Sequence, residues 1–218
     1  MWKTWEEDMP LKPNINKLYH AYLDELKPLV ATIEGKYEIF PEGILNEIRA
    51  LYDHTARLSI LEMNYDVFLE EYNRATRHIH RAKLDCFKFL CTMGERNNDQ
   101  FKNNYINVRL GEVNSGKFLP EYEKLKKIAI NKTLEAKMQE KTITNNEKNV
   151  SFLYQEAILA YEEIEKFIEL NYENLAWSAS NQKQYSKRGY INAIIITAIC
   201  GIGATIIGTM ICNWLNIF

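Results

Sequence analysis

Residues 65–92 read YDVFLEEYNRATRHIHRAKLDCFKFLCT, and the recurrence of Phe68, Tyr72, Ala75, Ile79, Ala82, Cys86 and Leu90 at three- and four-residue steps puts all seven on one stripe of a helix. A stripe of that width must be buried against other elements, so this segment predicts helical neighbours. They are found on both sides. Upstream, Leu18, Tyr22, Leu26, Leu29 and Ile33 share a face over about residues 15–34, with Pro28 expected to bend that helix. After the interruption GKYEIFPEG, Pro41 suits the first position of a second helix running to about Glu62, with Ile44, Ile48, Leu51, Thr55 and Leu58 inward.

Downstream of the opening stripe, Gly94 reads as a C-terminal stop, and the Asn- and Gly-rich residues 94–119 read as a surface excursion with one weak helix near residues 100–108. Pro120 then opens a Lys-rich helix to about Lys141, and TITNNEKN breaks it. A last soluble helix spans about residues 148–178, with Leu153, Ala157, Tyr161, Ile164, Ile168 and Leu175 inward. No segment alternates long enough for a sheet. The fold class is therefore all-α: an antiparallel helical bundle over residues 1–145, a long helix over 146–188 that completes it and leads to the membrane, and a transmembrane helix over 189–218.

That final segment holds no Asp, Glu, Lys or Arg, while residues before it carry all 27 basic and 29 acidic groups of the 218-residue chain. Tyr190–Cys212 supplies 23 residues, against the roughly 20 that a bilayer requires. Lys183, Lys187 and Arg188 precede it and no basic residue follows, so the positive-inside rule keeps the N-terminal domain in the cytoplasm of a single-pass inner-membrane protein. Tyr190 and Trp214 occupy the positions of interfacial aromatics. Cys200, Ala204, Gly208 and Cys212 form one row of small residues, and Ala193, Thr197, Gly201, Thr205 and Thr209 another. Such rows let helix backbones approach closely, so Gly201, Ala204, Thr205 and Gly208 are the expected contacts of a homo-oligomer in the membrane.

The formal net charge of -2 argues against a generic polyanion binder. Locally, residues 72–109 carry eight basic and three acidic groups, and residues 150–176 one basic and six acidic. Two helices packed near one another with complementary flanks would account for both. The acidic, proline-broken N-terminus MWKTWEEDMPLKP does not have the form of a secretory signal. The four cysteines lack the CxxC spacing of a zinc site or redox pair, and no metal or cofactor is expected. Gly111-Glu-Val-Asn-Ser-Gly-Lys-Phe118 nearly spells a phosphate loop, but Phe118 stands where a hydroxyl must meet magnesium and no strand precedes it. His78 and His80, about 200° apart on a helix, cannot share a metal unaided.

Two further spacings bear on function. Arg49-Ala-Leu-Tyr-Asp-His54 and Arg74-Ala-Thr-Arg-His-Ile-His80 each satisfy the pattern of an Arg, four to six intervening residues and then a His within a helix. In this the chain resembles the HEPN superfamily, over at most residues 40–110. The resemblance implies a small helical bundle, often dimeric, of a prokaryotic antiviral or toxin system, with RNA or a defence-system protein as partner. It also implies that Arg49, His54, Arg74 and His80 would line an RNA-cleaving cleft. A polar residue commonly follows the Arg in that family, whereas Ala50 and Ala75 stand there here. Arg and His suit the chemistry, since guanidinium neutralises phosphate and imidazole moves protons near neutral pH. The reading that leads is a membrane-tethered, self-associating effector or accessory protein without catalytic activity; an anchored ribonuclease and a tail-anchored adaptor are the alternatives.

Overall fold

The computed structural model describes residues 12–60, 65–142 and 147–181. The expected anchor, with Gly201, Ala204, Thr205, Gly208 and its flanking Lys183, Lys187, Arg188 and Trp214, lies outside the described residues. Among the described residues no helix is long and apolar enough to cross a membrane, and none forms a strand. The helices are α1 (Lys12–His20), α2 (Lys27–Tyr37), α3 (Glu42–Ile60), α4 (Tyr65–Asn104), α5 (Phe118–Thr142) and α6 (Glu147–Leu170). After Asn171, residues 172–181 are again helical and are called α7.

α1 and α2 are one continuous helix joined by a π turn over Ala21–Leu26. Proline explains the turn. Pro28 has no N–H to give the carbonyl one turn back, and its ring crowds that carbonyl. The wider turn relieves the crowding, with the Lys27 N–H donating to Tyr22 five residues back. The expected bend is thus absorbed by a change of helix type. At the other end, Glu38 stops α2 in a left-handed conformation (φ 53°), its N–H donating to the Glu34 carbonyl. Pro41 lies just before α3, where its carbonyl accepts from the Ile44 and Leu45 N–H groups.

The described residues divide into two compact units, one comprising those up to Gln100 together with those of Lys124–Lys166, the other Phe101–Glu123 together with those from Phe167 to residue 181. In the first unit the inward stripes meet as the periodicity requires. Leu18, Leu51, Leu58, Phe68, Ala75 and Ile79 form one buried cluster, and Leu26, Ile33, Ile44, Ala82, Cys86 and Leu90 another. The order of these contacts shows α3 antiparallel to α4 and the α1–α2 helix parallel to it. Each buried side chain of Leu, Ile or Phe size contributes about 1.5–3 kcal/mol, which is how short helices are held in place.

α4 does not stop at Gly94 but continues to Asn104. Tyr161 of α6 lies against Gly94 so closely that an added Cβ would fall 2.6 Å from its ring. The glycine marks a close helix approach rather than an end. Beside it, the Cys91 thiol faces the Tyr154 carbonyl at 3.9 Å and Asn97 donates to Glu165 at 3.0 Å. The basic and acidic segments therefore do pack together. Charges on both are met from third helices: Glu165 pairs with Lys36 of α2 at 2.6 Å and Glu156 with Lys132 of α5 at 2.5 Å. Lys88 of α4 reaches Glu140 of α5, also at 2.5 Å.

In the second unit, Phe101, Tyr105, Phe118, Tyr122 and Phe167 form a chain of aromatic contacts with centroids 4.8–6.1 Å apart. Rings at this spacing bury large apolar area with favourable geometry. Residues 94–119 are thus only in part a surface excursion: α4 fills their first half, and a 3-10 segment, Leu110–Gly116, sets Val113 and then Phe118 inward. Gly94→Ala should destabilise the protein by about 1–3 kcal/mol, because overpacking against Tyr161 outweighs the ~1 kcal/mol that Ala gains in helix propensity. Thermal unfolding followed by circular dichroism measures it, and a raised melting temperature would show that the two helices can move apart freely.

Candidate functional site

Glu47 and His54 stand seven residues apart on α3, and Glu71 and His78 stand seven apart on α4. Two turns of helix return a side chain to nearly the same face about 10.5 Å along, so each helix presents one Glu and one His to its neighbour. Because the helices are antiparallel, each glutamate meets the other helix's histidine. His54 Nδ1 is 2.7 Å from Glu71, and His78 Nδ1 is 2.6 Å from Glu47. Between these pairs the two imidazoles stack, centroids 5.2 Å apart and planes inclined by 15°.

Glu71 is the electrostatic centre of the group. Its carboxylate, 9% exposed, also lies 3.3 Å from Arg74 Nη1 and 3.6 Å from Arg57 Nη1, while Arg74 reaches Glu70 with its other nitrogen. The His54 hydrogen bond leads in holding the Glu71 carboxyl below its ordinary value of 4.5, with the His54, Arg57 and Arg74 charges adding to it against the cost of burial. An ionised carboxylate can only accept, so His54 Nδ1 carries a proton and donates it. Arrangements of this kind serve proton transfer or lock helices together, and the same contacts provide for either.

Of the residues singled out by the Arg-to-His spacings, the structure unites His54 and Arg74 through Glu71. Arg49 is exposed on α3 and enters no ion pair among the described residues. His80 is half-buried on α4, about 200° round the helix from His78. Glu47, Glu71 and His78 are the members that a search for Arg-to-His spacing misses. The signal that finds them is the repeated Glu-to-His step of seven, once the two helices are set antiparallel.

Among the described residues no group of three or more His, Cys, Asp or Glu is placed to hold a metal. Cys86 and Cys91 are buried, and burial pushes their thiols up to about 12 and about 11, which leaves them unreactive near neutral pH. In the near-phosphate-loop, Phe118 is fully buried among rings and no strand leads into Gly111. Fold and site together define a helical bundle with a carboxylate-imidazole network between two antiparallel helices. No family model, no curated protein and no solved structure matches the chain.

The depressed Glu71 carboxyl contributes stability that is full above its unfolded value near 4.5 and is lost as pH falls through its lower folded value. Glu71→Gln should cost about 1–3 kcal/mol at neutral pH and flatten the acid limb of the stability profile. Urea unfolding at a series of pH values reads both effects, and an acid limb as steep as that of the parent would remove Glu71 from its cause.

Proposed function

We propose that this chain is a membrane-tethered, self-associating helical protein that acts at or on the inner membrane without catalysis of its own. The observation that carries this reading is the uncharged run of residues 189–218 directly after Lys183, Lys187 and Arg188. The helical bundle is the part held at the surface, and the rows containing Gly201, Ala204, Thr205 and Gly208 are its means of association. Assignment to a prokaryotic antiviral system rests on the HEPN resemblance.

The network between α3 and α4 supports a structural over a ribonucleolytic role for its histidines. Arg74 is already neutralised by Glu70 and Glu71, and both imidazoles are tied to carboxylates. Three glutamates so close would repel a phosphodiester. The ribonuclease reading makes a different demand, namely that Arg49 and His80 act on RNA. Arg49→Ala together with His80→Ala should leave any growth arrest on overproduction intact and the purified protein inert toward RNA. Loss of arrest along with loss of RNA cleavage would favour the ribonuclease.

Topology and association are tested on the full chain in native membranes. Removal of residues 189–218 should release the protein from the membrane pellet, and protease should reach the bundle only from the cytoplasmic side. Gly201→Leu and Gly208→Leu should shorten the cross-linking ladder without preventing insertion, since a bulky side chain forces close helices apart while adding hydrophobicity. An unchanged ladder in both variants would make the anchor a passive tether.

A further inference from the structure

The outward side of α5 has an unusual composition for a bundle helix. Lys127, Ile130, Leu134, Lys137, Met138 and Lys141 follow one another at three- and four-residue steps, with Lys137 and Met138 adjacent, and fall within an arc of about 100°. Between Lys127 and Lys141 no acidic residue shares that arc: Glu135 lies beyond its edge, and Glu140 is turned inward to Lys88 and the Tyr154 hydroxyl. The three apolar side chains are 40%, 54% and 60% exposed, although the helix already buries Ala129, Thr133 and Ala136 on its opposite side. Lys127, Lys137 and Lys141 are exposed and enter no ion pair among the described residues, whereas Lys126 and Lys132 of the same helix are paired with Asp99 and Glu156.

We infer that this face of α5 lies against the headgroups of anionic lipid, the apolar side chains entering the interface and the three lysines meeting lipid phosphate. Charge decides among the possible occupants. A second copy docked through the same face would set these lysines against their counterparts with no acid within the stripe to neutralise them. A nucleic acid would satisfy the lysines but leave Ile130, Leu134 and Met138 in contact with phosphate or water. Anionic lipid satisfies both kinds of group at once, because lysine stems lie along apolar surface while their ammonium groups reach the headgroups. The inference deepens the tethered reading: an anchor would hold α5 near a bilayer, and contact with lipid would then orient the bundle upon it.

The test uses the full chain reconstituted in vesicles of phosphatidylcholine alone or of an equimolar mixture with phosphatidylglycerol. A fluorophore is attached through Leu134→Cys, with the unsubstituted protein setting the background from the native cysteines, and nitroxide-labelled lipid is the quencher. Quenching should be strong in the anionic vesicles, weaker by about threefold in the neutral ones, and lowered by salt, as surface attraction to anionic lipid requires. The combined variant Lys127→Glu, Lys137→Glu and Lys141→Glu should abolish the difference between the two vesicles while leaving the helical circular dichroism spectrum unchanged.

Co-flotation with neutral vesicles reads the tether separately from the α5 face. Protein that floats with both vesicles, yet whose label is not quenched in the anionic ones, overturns the lipid contact and leaves the tether standing. Protein that floats and is quenched only with anionic vesicles supports the α5 contact and removes the tether. Disulfide cross-linking of two copies through Leu134→Cys without lipid quenching overturns the inference and gives the face to a second copy.

Discussion

A helix of 40 residues extends about 60 Å and cannot keep its apolar stripe dry by itself, so burying the inward side of α4 is the constraint from which the bundle follows. Its first half is covered by the α1–α2 helix and α3, through the clusters around Leu18 and Leu26. Its later part is approached by α6 at Gly94 and Cys91, and by α5 through the Lys88–Glu140 and Lys126–Asp99 pairs.

Hydrophobic matching alone does not fix the longitudinal register of antiparallel helices, since stripes of Leu, Ile and Ala can slide by a turn at modest cost. The crossed pairs His54–Glu71 and His78–Glu47 supply that register between α3 and α4. A shift of one turn would separate both pairs at once and leave the nearly buried Glu71 with Arg74 of its own helix but without its shortest hydrogen bond. Buried or half-buried ionic groups of this sort are best understood as selecting one arrangement among several apolar alternatives, a role in which their net stabilisation is small. The stacked imidazoles follow from the same register, since both histidines sit between the two carboxylates.

Proline and glycine show how local signals depend on what lies across from them. Pro28 and Gly94 are both helix breakers by intrinsic preference, yet both sit inside continuous helical backbone. Pro28 is tolerated because a π turn before it redirects the hydrogen bonding, and Gly94 is required because the Tyr161 ring occupies the space of a side chain. In each case the breaker acts where it stands, but its effect is a change of turn or a close approach.

Much of the fold was legible in the sequence, because a 3.6-residue period is a property of one segment and needs no partner to be seen. The inward stripes of α1–α2, α3 and α4 emerge in large part as read: Leu18, Leu26, Ile33, Ile44, Leu51, Leu58, Phe68, Ala75, Ile79 and Ala82 are buried, with Tyr22, Leu29, Ile48 and Tyr72 half-buried against them. The uncharged run at residues 189–218 is likewise visible from composition alone. Of the candidate site, His54 and Arg74 were within reach of a search for local spacing, whereas Glu47, Glu71 and His78 became its members only when α3 and α4 were laid antiparallel. Hydrogen-bond partners 17 and 31 residues apart belong to two segments at once, and their meeting depends on which stripes bury each other. For the same reason only the tertiary structure could decide that α4 runs through Gly94, since the residue that makes glycine necessary there is Tyr161, on another helix.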